Sequence, residues 1–185
     1  MLENGSSWNG ASADAGLILV EEGLVAIRGE RRPDWRPVIK QIGGRGDVIL
    51  APESDESLQA LSDARLRPLS RATLAMLSED AAASCFLVNG LAASLRQVQE
   101  AIGGMAHVHH LDRVRDFFVQ LARRHGRVDG GRGIRIDVRL THELIAEAVS
   151  SARETVSRAI ESLQDDGFVI RERGVYRLLL PPDEL

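Results

Sequence analysis

The chain has few of the residues on which cross-links and many metal sites depend. It holds one cysteine, Cys85, in 185 residues. A single cysteine excludes a disulfide within the chain and provides no cysteine set for a zinc or iron–sulfur centre. We therefore interpret Cys85 as a small apolar residue near the start of a helix, with a redox role as the minority alternative.

Long apolar runs and catalytic groupings are also missing. No run approaches the ~18 apolar residues of a membrane-spanning helix, and no signal peptide opens the sequence, so we expect a cytoplasmic protein with no membrane partner. No Ser/His/Asp set or carboxylate pair stands out, which predicts a protein that is not an enzyme and uses no cofactor. The run Gly43–Gly46 lacks the spacing and the Lys-Ser/Thr of a nucleotide-binding loop and is interpreted as a turn.

The composition is that of an ordinary globular protein, with 44% apolar and 27% charged residues. The net charge of −4 does not favour a phosphate-binding partner, but it is unevenly spread. Residues 107–185 hold 13 arginines against 13 acidic side chains, whereas residues 1–106 hold 10 basic and 14 acidic ones. A neutral C-terminal domain with basic edges is compatible with nucleic acid, and we expect its nonspecific binding to be weak.

Two helix-start signals lie close together in residues 140–166. Thr141 can cap the first helix, and Glu143 stands in its first turn, where the helix dipole favours an acid. Ser151 and Glu154 form the pattern of a capping box that opens a second helix. Two starts this close force a sharp corner, and Ser150 stands where such corners usually have glycine, so we expect strain there.

The second helix is predicted to have one buried apolar face and one exposed charged face. Val156, Ile160 and Leu163 recur at spacings of four and three, which predicts the buried stripe. An arginine fork matches the acceptors of guanine, and a carboxylate can accept from the cytosine amino group. The alternative is a solvated charged surface that reads nothing. The side chains predicted to face outward near the helix start, and to read bases, are Arg153, Glu154, Ser157 and Arg158.

The flanking sequence favours the DNA-reading interpretation. Residues 134–140 alternate strictly between apolar and polar, which predicts a half-buried strand leading into the two helices. Residues 168–180 predict two strands that turn at Glu172 to Gly174, a wing beside the helices. Arg171, Arg173 and Arg177 would bring positive charge from this hairpin to DNA phosphates.

Residues 109–185, with Arg153-Glu154-Thr155-Val156 and Arg158, resemble the DNA-binding domain of the Crp/Fnr superfamily of bacterial transcription regulators. The resemblance, strongest to the cyclic-AMP receptor protein branch, implies a homodimer that reads a TGTGA-like palindrome in double-stranded DNA and contacts RNA polymerase. Arg153 and Arg158 would read guanines and Glu154 a cytosine. His142 departs from the pattern, because an arginine is common there, as does Ala152, which stands where a serine often is. The expected phosphate contacts are Thr141, His142, Ser151, Thr155, Arg171 and Arg173.

The N-terminal half has short apolar stretches at residues 17–20, 24–27, 38–42 and 48–50 with turns between them, which predicts a β-sandwich or β-roll. Residues 17–28 and 41–48 resemble the effector domain of the same superfamily, in a shortened form. The segment Asp47–Glu56 is acidic and interrupted by Pro52, where cyclic-nucleotide binders carry a phosphate cassette. We therefore expect no cyclic-nucleotide control. There are two alternatives to an effector-independent DNA-binding regulator. One is gating by another small molecule, and the other is a winged helix that binds only proteins.

A helix is predicted from Glu79 to Met105, and its apolar stripe is nearly a coiled-coil seam. We favour a parallel homodimer through this stripe, with packing on the chain's own β domain as the alternative. Gly103-Gly104 would mark a bend, and the histidines that follow are interpreted as structural or solvated rather than metal-binding. The dimer residues are Leu87, Leu91, Leu95, Val98, Ile102 and Met105, and the histidines are His107, His109 and His110.

The predicted fold class is therefore α+β: a β-roll like a cyclic-nucleotide-binding domain, a long dimerisation helix, and a winged helix-turn-helix. The expected boundaries are 1–78 for the roll, 79–108 for the helix and hinge, and 109–185 for the DNA-binding domain.

Overall fold

The computed structural model describes residues 1–8, 15–29, 37–106, 109–128 and 133–179. It contains two compact units, Met1–Glu100 and Ala101–Leu185. The α+β class, the N-terminal roll and the C-terminal helix-turn-helix are as predicted. The predicted division into a roll (1–78), a dimerisation helix with hinge (79–108) and a DNA-binding domain (109–185) stays a prediction.

The first unit is a β-roll of antiparallel strands. The strands are β1 Ser7–Trp8, β2 Ala15–Glu22, β3 Leu24–Gly29, β4 Ile39–Gly44, β5 Val48–Leu50, β6 Glu56–Ala60 and β7 Arg65–Ser70. One sheet has the order β1-β6-β3-β4 and the other the order β5-β2-β7. The core between them is aliphatic, and Ile18, Val25, Ile49 and Leu58 in it are fully buried.

Four of these strands match the alternations expected at residues 17–20, 24–27, 38–42 and 48–50. Strands β1, β6 and β7 were not predicted. Of the run predicted as a turn, Gly43 and Gly44 end strand β4, and Arg45 and Gly46 form the turn to β5, where Gly46 has a φ of +88°. The backbone N–H of Gly44 donates to Asp47 Oδ2 at 2.8 Å and stabilises this turn.

Two helices follow the roll. Helix α1, Arg71–Ser78, was not predicted, and Ser70 caps it by accepting from the Thr73 N–H at 3.1 Å. Helix α2, Ala81–Met105, confirms the expected long helix. Its first turn is stabilised by Asp80, whose Oδ1 accepts from the Ala83 N–H at 2.7 Å. Gly103 and Gly104, where a bend was predicted, both lie within α2, which ends at Met105.

The described elements of the second unit are α3 His110–His125, β8 Arg127–Val128, β9 Ile134–Ile136, α4 His142–Ala148, α5 Arg153–Asp165, β10 Val169–Glu172 and β11 Val175–Leu178. The strands form an antiparallel sheet in the order β10-β11-β9-β8. The rings of Phe118 and Tyr176 lie in the core of this unit, 4.9 Å apart between centroids. Within the part of the chain that is described, no helix is long and apolar enough to cross a membrane.

Candidate nucleic-acid interface

Helix α4 begins as the sequence predicts. Thr141 is its N-cap, and the Thr141 hydroxyl accepts from the Leu144 N–H at 3.1 Å. Glu143 lies in the first turn, where a negative charge interacts favourably with the helix dipole. Leu144, Ile145 and Ala146 are buried. The cap and the apolar face together fix where α4 starts and which side it turns inward.

The corner between α4 and α5 is tight and strained, as expected. Ser150 has a φ of +50°, in the left-handed region that favours glycine. The next backbone N–H, that of Ser151, donates to the Ala146 carbonyl at 2.9 Å. A non-glycine residue in this conformation costs about 1–2 kcal/mol, which the packing of the two helices offsets.

The expected capping box at Ser151 and Glu154 is wrong. The N-cap of α5 is Ala152, and no side chain caps it. Ser151 is 7% exposed, and its hydroxyl lies 2.9 Å from His110 Nδ1 at the start of α3. Because this hydroxyl is buried and paired inside the domain, the Ser151 side chain does not face a DNA phosphate as the sequence predicted.

Helix α5 presents the two faces that its sequence predicts. Val156, Ile160 and Leu163 are at most 3% exposed and pack against the domain. Arg153, Glu154 and Arg158 are exposed on the opposite side, near the helix start. Thr155 is half-buried between them. The first two turns of α5 thus carry two guanidinium groups and one carboxylate on an accessible surface, and their assignment to bases remains a prediction.

Ser157 has a hydroxyl that is already occupied. Its Oγ donates to the Arg153 carbonyl at 3.0 Å and lies 2.8 Å from His142 Nδ1. This contact joins the first residue of α4 to the second turn of α5. The proposed role of Ser157 in base reading is therefore restricted, since its only hydroxyl hydrogen is committed to the backbone.

The electrostatic surroundings of His142 are basic. Burial is the main reason that the pKa of His142 lies below its usual value, and the nearby Arg171 and Arg153 lower the pKa further. Glu161 acts in the opposite direction. The interface therefore brings cationic side chains from two elements, α5 and β10, toward the start of α4.

The wing forms where it was predicted, with a turn at Arg173 and Gly174 whose φ values are +50° and +86°. Such positive φ values at both central residues are the preferred geometry of a two-residue hairpin turn. Arg171 and Arg173 are exposed, and the Arg171 guanidinium lies 5.5 Å from the centre of the Tyr176 ring. The expectation for Arg177 is wrong: its side chain is buried and its Nη2 lies 3.0 Å from Glu172 Oε2.

The apolar stripe on α2 is largely accessible within the described part of the chain. Leu91, Leu95, Val98 and Ile102 are 37%, 60%, 37% and 63% exposed. Leu87 is only half-exposed, while the neighbouring Val88, which the sequence interpretation omitted, is 64% exposed. The spacing signal was available, because Val88 lies three residues before Leu91 and so continues the alternation of three and four.

Some predicted residues lie outside the description. They are the side chain of Met105, which belongs to the predicted dimer stripe, and His107, which belongs to the histidine cluster. His109 is the N-cap residue of α3, but its side chain makes no capping hydrogen bond. His110 contacts Ser151, as stated above.

Polar contacts that the sequence did not reveal hold α2 against the roll. Gln41 Nε2 donates to Ser94 Oγ at 2.9 Å, and Ser94 Oγ donates to the Val48 carbonyl at 2.5 Å. Gln97 Nε2 donates to the Ile42 carbonyl at 2.7 Å. No local pattern marks such pairs, because their partners lie more than 40 residues apart.

The acidic segment after β5 also has a defined geometry. Carboxylate oxygens of Glu53, Asp55 and Glu56 lie within 4.8 Å of one another. Lys40 forms an ion pair with Glu56 and has a raised pKa, chiefly because of the hydrogen bond to that carboxylate. The segment therefore presents mainly negative charge, which disfavours a phosphate ligand.

Comparisons with known proteins agree with this geometry. Residues 112–184 match a family described as the Crp-like helix-turn-helix domain. The global nitrogen regulator of Synechocystis is 34% identical over 93 residues, which cover 50% of this chain and 41% of that protein. A CRP-like cAMP-activated global transcriptional regulator from Mycobacterium tuberculosis is 29% identical over 160 residues, which cover 83% of this chain and 70% of that protein.

Solved structures extend the likeness to both units. A transcriptional regulator of the CRP family from Thermus thermophilus matches with a TM-score of 0.75 and 25% identity, over 97% of this chain and 91% of that one. The match to the Synechocystis nitrogen regulator is shorter, because the chain spans about two-fifths of that protein's length (41%).

Proposed function

We propose that this chain is a sequence-specific DNA-binding transcription regulator of the Crp/Fnr type, which the match of residues 112–184 to the Crp-like helix-turn-helix domain and the similarity to CRP-family regulators support. One observation carries the proposal: Arg153, Glu154 and Arg158 are exposed together at the start of α5. In helix-turn-helix proteins, the N-terminal end of the recognition helix is the part that contacts base edges in the major groove. Each bidentate arginine–guanine pair discriminates against a wrong base by about 1–3 kcal/mol.

The regulator would act as a homodimer. Val88, Leu91, Leu95, Val98 and Ile102 form an exposed stripe on α2 with spacings of three and four residues, the repeat of a coiled-coil seam. A second copy can bury this stripe by presenting the same residues, as two-fold symmetry requires. Two reading helices would then meet half-sites of a TGTGA-like palindrome about 34 Å apart.

Activity without cyclic nucleotide is also part of the proposal. Gln41, Ser94 and Gln97 hold α2 directly on strands β4 and β5 through hydrogen bonds between groups of the chain itself. A β-carbon at Gly90 would lie 2.9 Å from Val48 Cγ2, which indicates how closely the helix approaches the sheet. The acidic residues that follow β5 would in addition repel a cyclic phosphate. Contact with RNA polymerase, and hence activation, rests on the resemblance to the superfamily.

The reading and clamping roles can be separated with two variants. Arg158→Ala should weaken binding to the palindrome by about 1–3 kcal/mol and relax the preference at one base pair. Arg173→Ala on the wing should weaken binding to all duplexes alike and reduce the salt dependence. Fluorescence-anisotropy titrations of palindromic, single-substituted and scrambled duplexes measure both effects. Identical behaviour of the two variants would contradict the assignment.

Effector independence has its own measurement. The affinity for the palindrome should stay unchanged when cyclic AMP is added to the protein. A clear gain in affinity would contradict the claim that α2 is already held in place. A gain on adding a metabolite extract, but not cyclic AMP, would instead support gating by another small molecule.

A further inference from the structure

The hydrogen bonds around Ser157 determine which nitrogen of His142 carries a proton. Ser157 has one hydroxyl hydrogen, and it is used in the bond to the Arg153 carbonyl, since a carbonyl can only accept. The 2.8 Å contact between Ser157 Oγ and His142 Nδ1 therefore needs its hydrogen from the imidazole. Nδ1 of His142 is thus the protonated nitrogen of the neutral ring.

This arrangement leaves Nε2 as the nitrogen that titrates. In the neutral ring Nε2 is an acceptor, and in the cation it is a donor. The bond from Nδ1 to Ser157 is kept in both states. The described hydrogen bond of the ring runs through Nδ1, and the half-buried ring leaves Nε2 accessible to a ligand.

The groups around the ring are suited to an anion. Arg153 on α5 and Arg171 on β10 both act on the ring as cations, and Glu161 on α5 is the opposing charge. An anion at this place would interact favourably with both arginines, and a phosphate oxygen is such an anion.

We propose that His142 is a phosphate contact that forms only when its ring is protonated, so that DNA binding by this domain strengthens as the pH falls. The proposal rests on the proposed function and deepens it. A neutral Nε2 presents a lone pair to the phosphate oxygen, whereas a protonated Nε2 donates a charge-assisted hydrogen bond. Ser157 acts as the positioning residue, because it holds the ring in one orientation through Nδ1.

The direction of the pH effect follows from the two states of the protein. Without DNA, burial and the two arginines hold the pKa of His142 below its ordinary value. In the complex the phosphate raises that pKa, because it favours the cation. Binding therefore takes up protons. The added affinity is absent well above the pKa of the complex and is complete below the pKa of the free protein.

The test measures the affinity of the full chain for a TGTGA palindrome and for a scrambled duplex, at about pH 8 and about pH 5.5, on either side of the ordinary histidine pKa. The wild type should bind both duplexes more tightly at the lower pH, by about tenfold per half-site. The slope of log affinity against log salt should steepen by about 0.9 for each new phosphate contact.

Three variants give the matched controls. His142→Gln should lose the added pH dependence, and His142→Arg should bind tightly at both pH values. His109→Gln removes another exposed histidine of the same unit and should leave the wild-type pH response unchanged. The His142 ring proton resonances of the wild type, assigned by their loss in His142→Gln, should titrate at a higher pH in the presence of duplex.

The outcomes separate this proposal from the proposed function. A preference for the palindrome with no pH response, or a full pH response in His142→Gln, overturns the role of His142 and leaves DNA reading intact. A pH response on both duplexes without any preference for the palindrome supports the phosphate contact and contradicts sequence-specific reading. An unchanged His142 titration on adding duplex also overturns the proposal, whatever the variants do.

Discussion

Because α2 packs closely against the roll at one of its glycines and not at another, we expect an alanine at these two positions to have opposite effects on the free energy of unfolding. A β-carbon on Gly90 would lie 2.9 Å from Val48 Cγ2 and 3.0 Å from Val48 Cβ. Valine is restricted about χ1, so its side chain cannot easily turn away. Alanine favours a helix over glycine by about 1 kcal/mol, but overpacking of a filled site costs about 1–3 kcal/mol. Gly90→Ala should therefore change the free energy of unfolding by about 0 to −2 kcal/mol.

Gly103 provides the matched control. A β-carbon there meets no atom within 4 Å among the described residues, so Gly103→Ala should stabilise α2 by up to about 1 kcal/mol. Urea unfolding followed by circular dichroism, at one protein concentration, gives both values. The difference between the two variants should be about 1–3 kcal/mol, the overpacking cost alone. Equal stabilisation by both substitutions would refute the close contact between α2 and β5.

Two further pairs of substitutions, each a test variant and its control, address the start of α4 and the stripe on α2. Thr141→Ala removes the acceptor for the Leu144 N–H and should lower the free energy of unfolding by about 1 kcal/mol in urea, whereas Thr141→Ser should keep most of it. An equal loss in both would contradict the cap. Leu95→Glu places a charge in the proposed seam and should give a monomer in sedimentation velocity, while Arg96→Glu, at an exposed position next to it, should leave the dimer intact. A dimeric Leu95→Glu protein would contradict this interface.

The sequence predicted the features that depend on neighbouring residues. Thr141 caps α4 because its partner is three positions away, and the stripe of Val156, Ile160 and Leu163 follows from helical periodicity. Ser150 was recognised as strained because a corner of that length needs a left-handed residue. In each case the competing structures differ locally, so a local pattern can decide between them.

The misses arose from contacts that are distant in the chain. Ser151 has the right spacing for a capping box, but His110, 41 residues earlier, pairs with its hydroxyl. Arg177 was expected to be exposed, yet β11 lies between β10 and β9, and Arg177 pairs with Glu172. The tautomer of His142 depends on two bonds of Ser157 that no spacing rule reveals.

The most direct test of the account is a titration of the purified protein with a labelled TGTGA palindrome and a scrambled duplex of equal length, each at a low and a high salt concentration. The account predicts a preference for the palindrome that persists at high salt, because base contacts release fewer counterions than phosphate contacts. It also predicts two protomers bound to each palindrome. Equal affinity for both duplexes at each salt concentration would contradict the claim that α5 reads DNA sequence.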